Sequence, residues 1–232
     1  MLETLSTLEF TPFMLSFKLA SLTTLILFVI SLPLSWYLSQ TKSKFKPLIE
    51  AIIALPIVLP PSVLGFYILV VLSQNSPIGL FFKEFFNLEL VFNFNGLVVA
   101  SCFYSLPFMM QPLQGGFESL NKNMLEASYI AGKGLLTTIF KVALPNMKPA
   151  VITAFVITFA HTVGEFGVVL MVGGSIPNET KVASVAIYEM VEIMDYSTAH
   201  IYSFIMLFVS FLVLLSVYTF NAKHSKSIGG IH

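Results

Sequence analysis

The sequence predicts an all-α integral membrane protein with about five transmembrane helices, forming a single membrane domain over residues 1–232 with its core at about 12–220. Three observations predict it. Hydrophobic residues make up 56% of the chain and charged residues 10%, whereas a soluble domain carries roughly 25% charged residues. The apolar residues gather into five segments, at about 12–38, 48–72, 96–114, 147–172 and 200–220. Each is near the length of about 20 residues needed to cross a hydrocarbon core of about 30 Å. The third observation is where the lysines fall. If the chain crosses five times, Lys42, Lys44, Lys46, Lys122, Lys133, Lys141, Lys148, Lys223 and Lys226 lie on one side, leaving Lys18, Lys83 and Lys181 of the 12 basic residues. Short cytoplasmic loops collect basic residues, so this predicts an outside N-terminus and an inside C-terminus.

The first segment reads as a retained span. The residues before it carry Glu3 and Glu9 and no lysine, whereas a signal peptide opens with positive charge. Lys18, just inside its outer end, is expected to snorkel to the interface.

The second segment contains Pro56, Pro60, Pro61, Ser62 and Gly65. Each internal proline removes a helix hydrogen bond and clashes with the preceding turn, at about 3 kcal/mol or more. The span is therefore kinked or broken. In a membrane, freed carbonyls are tolerated only where they are buried in protein or line a watery cavity. A pathway lining explains three prolines better than a packing kink, which stands as the other reading. In the third segment, Pro107 and Pro112 are expected to mark a cytoplasmic helix exit.

Between the third and fourth segments lies a run that reads as helix yet does not belong in lipid, residues 121–145 within a loop at about 117–146. Asn123 and Glu126 have capping-box spacing, and Leu125, Tyr129, Leu136, Ile139, Phe140 and Ala143 recur at helical intervals. Gly132 and Gly134 divide two helical halves and Pro145 ends the second. The lysine distribution puts this run in the cytoplasm, where it reads as a docking element.

The fourth segment carries the polar residues. Thr158, His161, Thr162 and Glu165 share one helix face, with Ala160, Gly164 and Gly167 on the adjoining one. Such a stripe avoids lipid, because a carboxylate at mid-depth costs about 2.5 to 3.5 kcal/mol even on the lenient insertion scale. Glu165 is a functional candidate, with a structural carboxylate paired to His161 or to nearby backbone as the alternative. The two outer segments, 73–95 and 173–199, read as a partner surface or as a solvated acidic rim. Residues 221–232 form a C-terminal tail.

Several kinds of chemistry are not indicated. No phosphate-binding G-x-x-x-x-G-K-[ST] loop, H-E-x-x-H or G-x-S-x-G occurs. His161, His200, His224 and His232 are too dispersed to suggest a metal site, and nothing suggests nucleic-acid binding. All basic residues are lysines, so arginine-fork recognition of an anion is absent. The single Cys102 precludes an internal disulfide. An enzyme is not expected.

Glu126-Ala127-Ser128, three residues, Gly132, nine residues, then Val142-Ala143-Leu144-Pro145 resembles the EAA motif of permease subunits in bacterial ABC importers. Ser128 and Val142 depart from it, standing where the motif has alanine and isoleucine. The stretch from Leu55 to Gly65, the Gly164-Glu165-Phe166-Gly167 run, residues 173–180 and Ala186-Ile187-Tyr188 are similar to the molybdate (molybdate/tungstate) permease family. The resemblance covers about residues 16–218. It implies a type I importer permease fold in the bacterial inner membrane, working as a homodimer. Glu126, Ala127, Ser128, Gly132, Val142, Leu144 and Pro145 would contact two cytoplasmic ATPase subunits, which bind ATP and magnesium; this chain would hold no cofactor or metal. A periplasmic or lipoprotein binding protein would deliver molybdate or tungstate. Pro56, Pro60, Pro61, Ser62, Gly65, Thr158, His161, Thr162 and Glu165 are the pathway or gate candidates. The competing readings are a sulfate or thiosulfate permease, and a secondary carrier using Glu165 and His161 as a proton relay.

Overall fold

The computed structural model describes residues 9–228. The ends of the expected domain and tail, 1–8 with Glu3 and 229–232, lie outside the described residues. The described residues form helices joined by loops: α1 Thr11–Gln40, α2 Lys46–Val58, α3 Pro61–Leu72, α4 Pro77–Phe86, α5 Phe94–Glu118, α6 Lys122–Ile130, α7 Leu135–Thr138, a π-helical turn Ile139–Ala143, α8 Leu144–Asn146, α9 Lys148–Val163, α10 Gly167–Gly173, α11 Ala183–Glu192 and α12 Tyr196–Ile228. Among the described residues three helices are long and apolar enough to cross a membrane unbroken, and up to five spans result if each of two bent pairs, α2 with α3 and Leu135–Asn146 with α9, counts as one.

The second span is broken as its prolines require. α2 and α3 meet at 112°, and both Pro47 and Pro61 sit in first turns, where the missing amide has no intrahelical partner to lose. The third span differs from expectation, because α5 runs through Pro107 and Pro112 to Glu118. It packs against α1, α9, α10 and α2, and that packing holds the helix through two residues that would end an isolated one. The fourth span also differs. The spacing of its polar stripe reads as one helix over 147–172, but the chain breaks at residues 164–166 between α9 and α10. The fifth helix is longer than expected and carries the tail as helix up to Ile228.

α1, α5 and α9 form the central bundle. Leu27 and Leu32 of α1 meet Met109, Leu113 and Phe117 of α5 and Ala154 of α9. Leu125, Ile139, Ala143 and Met147 join the same cluster, so the segment between α5 and α9 is anchored in the bundle core. Lys18 is exposed, and its Nζ lies 4.5 Å from the centre of the Phe94 ring, a cation–π contact.

Candidate functional site

The segment at 121–146 is built as a platform. Asn121 is the N-cap of α6, its side chain accepting from the Asn123 amide at 2.9 Å. The expected Asn123–Glu126 capping box is therefore not the cap, because α6 starts with Lys122. Gly132 then adopts φ +74°, the left-handed conformation that a glycine enters without a Cβ penalty. Beyond it, Ser128 of α6 and Thr138 of α7 share a buried hydroxyl hydrogen bond of 2.9 Å that joins the two halves. The π turn precedes Pro145, and this widened ladder accommodates a residue that has no amide to donate.

The platform exposes apolar side chains among charged ones, Lys122, Glu126, Lys133 and Lys141. Leu125, Ile139 and Ala143 of the expected stripe are buried, whereas Tyr129, Leu136 and Phe140 are exposed alongside Ile130 (88%) and Leu135. Glu126, Ala127, Gly132 and Pro145 are also exposed, Val142 and Leu144 are half-buried, and Ser128 points inward. No atom outside the local backbone lies within 4 Å of a Cβ built at Gly132 or Gly134.

The second group of candidates assembles around two helix breaks. A Cβ on Gly167 would lie 2.7 Å from Pro61 Cβ, and one on Gly65 would lie 2.9 Å from Met171 Cβ and 3.2 Å from Val168 Cα. The α2–α3 break and the α9–α10 break therefore abut, with α3 and α10 packed almost backbone to backbone. Gly164, by contrast, faces only its own turn at 3.6 Å. Pro56 is buried, while Pro60, Pro61 and Ser62 are exposed.

The polar stripe faces α5. Glu165 is 4% exposed, and its Oε2 accepts from Ser101 Oγ at 2.8 Å. One turn along, His161 Nδ1 lies 3.0 Å from Ser105 Oγ, which is 2.9 Å from Thr162 Oγ1. Thr162 donates to the Thr158 carbonyl at 2.9 Å. With its only proton used there, Thr162 accepts from Ser105, and Ser105 in turn accepts from Nδ1–H of His161. The imidazole stacks on Phe108, with centroids 3.8 Å apart. Glu165 does not pair with His161, because antiparallel helices put residues 161 and 165 opposite 105 and 101. Glu165 Oε1 and Thr158 Oγ1 have no hydrogen-bond partner among the described residues.

Ser101, Ser105 and Ser184 were not legible as site residues. The one available signal is that Ser101 and Ser105 are four apart, matching His161 and Glu165. A cleft of about 450 Å³ between α2 and α5 was also not anticipated; Glu50, Gln111, Gln114 and Glu118 line it together with the apolar Ala51, Ile53, Ala54 and Met110. Lys46 donates to Glu118 at 2.8 Å at its edge.

Comparisons with known proteins agree with this architecture. Residues 31–228 match the family model described as binding-protein-dependent transport system inner membrane component. The chain is 49% identical over 206 residues to the molybdenum transport system permease protein ModB of Azotobacter vinelandii, covering 88% of this chain and 91% of that protein. It is 30% identical over 209 residues to the probable sulfate transport system permease protein cysT of Prototheca wickerhamii, covering 90% and 82%. The fold is similar to that in a crystal structure of a bacterial ABC transporter that imports the acidic polysaccharide alginate, with a TM-score of 0.74, 15% identity and coverage of 92% and 78%.

Proposed function

Because this chain belongs to the family of binding-protein-dependent transport system inner membrane components, as a multi-pass, non-catalytic permease, we propose that it forms the pathway through which an ABC importer takes up molybdate and tungstate. The observation that carries the substrate is the half-identical likeness to a molybdenum permease along nearly the whole chain.

In this reading two copies form the pathway. Each presents 121–146 to one of two cytoplasmic ATPase subunits, where ATP and magnesium bind, and a periplasmic or lipoprotein binding protein delivers the oxyanion from outside. The exposed apolar side chains of the platform support the ATPase contact, since Ile130, Leu135, Leu136 and Phe140 stay exposed among the described residues. Glu126, Ala127, Gly132 and Pro145 contact the ATPase directly, and Ser128, Val142 and Leu144 hold the platform's shape.

The abutting breaks support a gate made of α3 and α10. Pro60, Pro61 and Ser62 present the irregular backbone to the pathway, while Pro56 and Gly65 fix its course. A dianion met by hydroxyl and backbone donors is released more readily than one held by buried ammonium groups. Glu165, His161, Thr158 and Thr162 serve inter-span structure in this account, since all lie on the stripe that faces α5.

The test is co-reconstitution with the ATPase and the binding protein, measuring ATP hydrolysis and uptake of molybdate, tungstate and sulfate. ATP-dependent uptake of the first two, with sulfate weak, is the expected result. Preferred uptake of sulfate would assign the chain the substrate named for its 30% identical relative. Uptake that persists without the ATPase and collapses with an uncoupler would make it a secondary carrier.

A further inference from the structure

The three-residue gap between α9 and α10 is held from two sides through one residue. Glu165 Oε2 accepts from Ser101 on α5 at 2.8 Å, and the main-chain carbonyl of Glu165 accepts from Ser184 Oγ on α11 at 2.5 Å. Beside that second bond, the Ala183 amide donates to Ser16 Oγ of α1 at 2.9 Å. The start of α11 is thus tied to a fixed bundle helix and to the break.

The segment leading into α11 is itself stiff. Thr180 Oγ1 donates to the Gly173 carbonyl at 2.7 Å and accepts from the Ile176 amide at 3.0 Å. Ser175 and Lys181 both donate to Glu189. Residues 174–192 therefore make one body, with Ile176, Pro177, Asn178, Glu179 and Tyr188 exposed. On the other side of the break, α10 is locked to α3 at Gly167 and Gly65.

We propose that Glu165 is a positioning residue for transport: the Thr180–Gly173 bond holds residues 174–192 to the far end of α10, and through Ser184 and Ser101 Glu165 makes the α9–α10 break a second point where a displacement of that body passes to α10 and from there to α3. This rests on the importer reading above, in which a protein docks on the outer side. The physical requirement is a contiguous set of contacts between the two bodies, and the Ser184–Glu165 bond is the direct hydrogen bond from α11 to the break.

The experiment uses the full assembly in nanodiscs, with its ATPase and molybdate-loaded binding protein, and compares Ser184→Ala, Ser101→Ala, the double variant and Ser184→Thr. Basal ATPase is expected to hold within about twofold, while stimulation by the loaded binding protein falls about two- to tenfold in Ser184→Ala, the equilibrium equivalent of one hydrogen bond. Ser184→Thr, which keeps the hydroxyl, restores stimulation. The double variant loses no more than the worse single one, because both act through Glu165. Unchanged stimulation in Ser184→Ala, or a parallel fall in basal and stimulated rates, overturns the proposal. Absence of molybdate-dependent stimulation in the unsubstituted assembly overturns the importer reading itself, so the two failures are distinguishable.

Discussion

Gly167 lies so close to Pro61 that a Cβ on the glycine would stand 2.7 Å from the proline Cβ. The proline ring cannot rotate away, so Gly167→Ala must push α10 from α3. Overpacking of this kind costs about 1–3 kcal/mol. We expect a lower thermal midpoint and impaired uptake for Gly167→Ala, and little change for Gly164→Ala, whose nearest neighbour is a carbonyl of its own turn at 3.6 Å. Equal effects at the two positions would show that the contact is not the tight one.

The Ser128–Thr138 bond predicts a non-additive pair. Ser128→Ala restores the residue common in the motif it resembles, yet leaves the Thr138 hydroxyl buried and unpaired, which costs about 1–3 kcal/mol. Adding Thr138→Val removes the orphan as well. The double variant should therefore be more stable than Ser128→Ala alone in thermal unfolding of the reconstituted protein. A double variant less stable than the single would mean that Thr138 has another partner.

How far the sequence carried is best judged by the two breaks. Pro60 and Pro61 announce the first, because a missing amide and a rigid ring act locally. The second has a weaker local signal, Gly164 at the C-cap of α9 and Gly167 at the start of α10. Glu165 continues the spacing of Thr158, His161 and Thr162, so a polar stripe on an unbroken helix is the natural reading of those residues. What fixes the break is tertiary: Ser101 and Ser184 hold the side chain and carbonyl of Glu165 from different helices. Pro107 and Pro112 mislead in the opposite sense, since the bundle around α5 overrides a local signal. The 121–146 platform was legible in its motif, its glycine turn and its helical halves, while its cap shifted by two residues to Asn121.

A pH dependence follows from Glu189, which lies outside the membrane-spanning segments. Burial pushes its pKa up, but hydrogen bonds from Lys181 and Ser175 outweigh this and hold it below the usual glutamate range. Since the seated state lowers this pKa, its stabilisation is fully present above the usual glutamate value and is lost as pH falls through the seated-state value. Amide exchange over residues 174–181 should therefore accelerate on acidification, apart from intrinsic exchange rates. Glu189→Gln should flatten that dependence; if it does not, another group governs the seating of this segment.

The platform offers a cleaner test of ATPase docking at Gly134 than at Gly132. A Cβ at either position meets nothing within 4 Å, and both glycines are exposed, so a side chain there extends away from the chain's own packing. Gly132, however, has φ +74°, and a non-glycine residue there carries backbone strain of about 1–3 kcal/mol. Gly134 has φ −72° and ψ 168°, which any residue adopts. Gly134→Trp should thus leave the thermal midpoint of the permease unchanged while abolishing co-purification of the ATPase and ATP-dependent uptake. Gly132→Asn, a residue that tolerates the left-handed conformation, should keep most of the assembly. Full uptake with tryptophan at 134 would mean that the ATPase seats elsewhere, because a side chain that meets nothing in this chain can obstruct only a partner lying on that face.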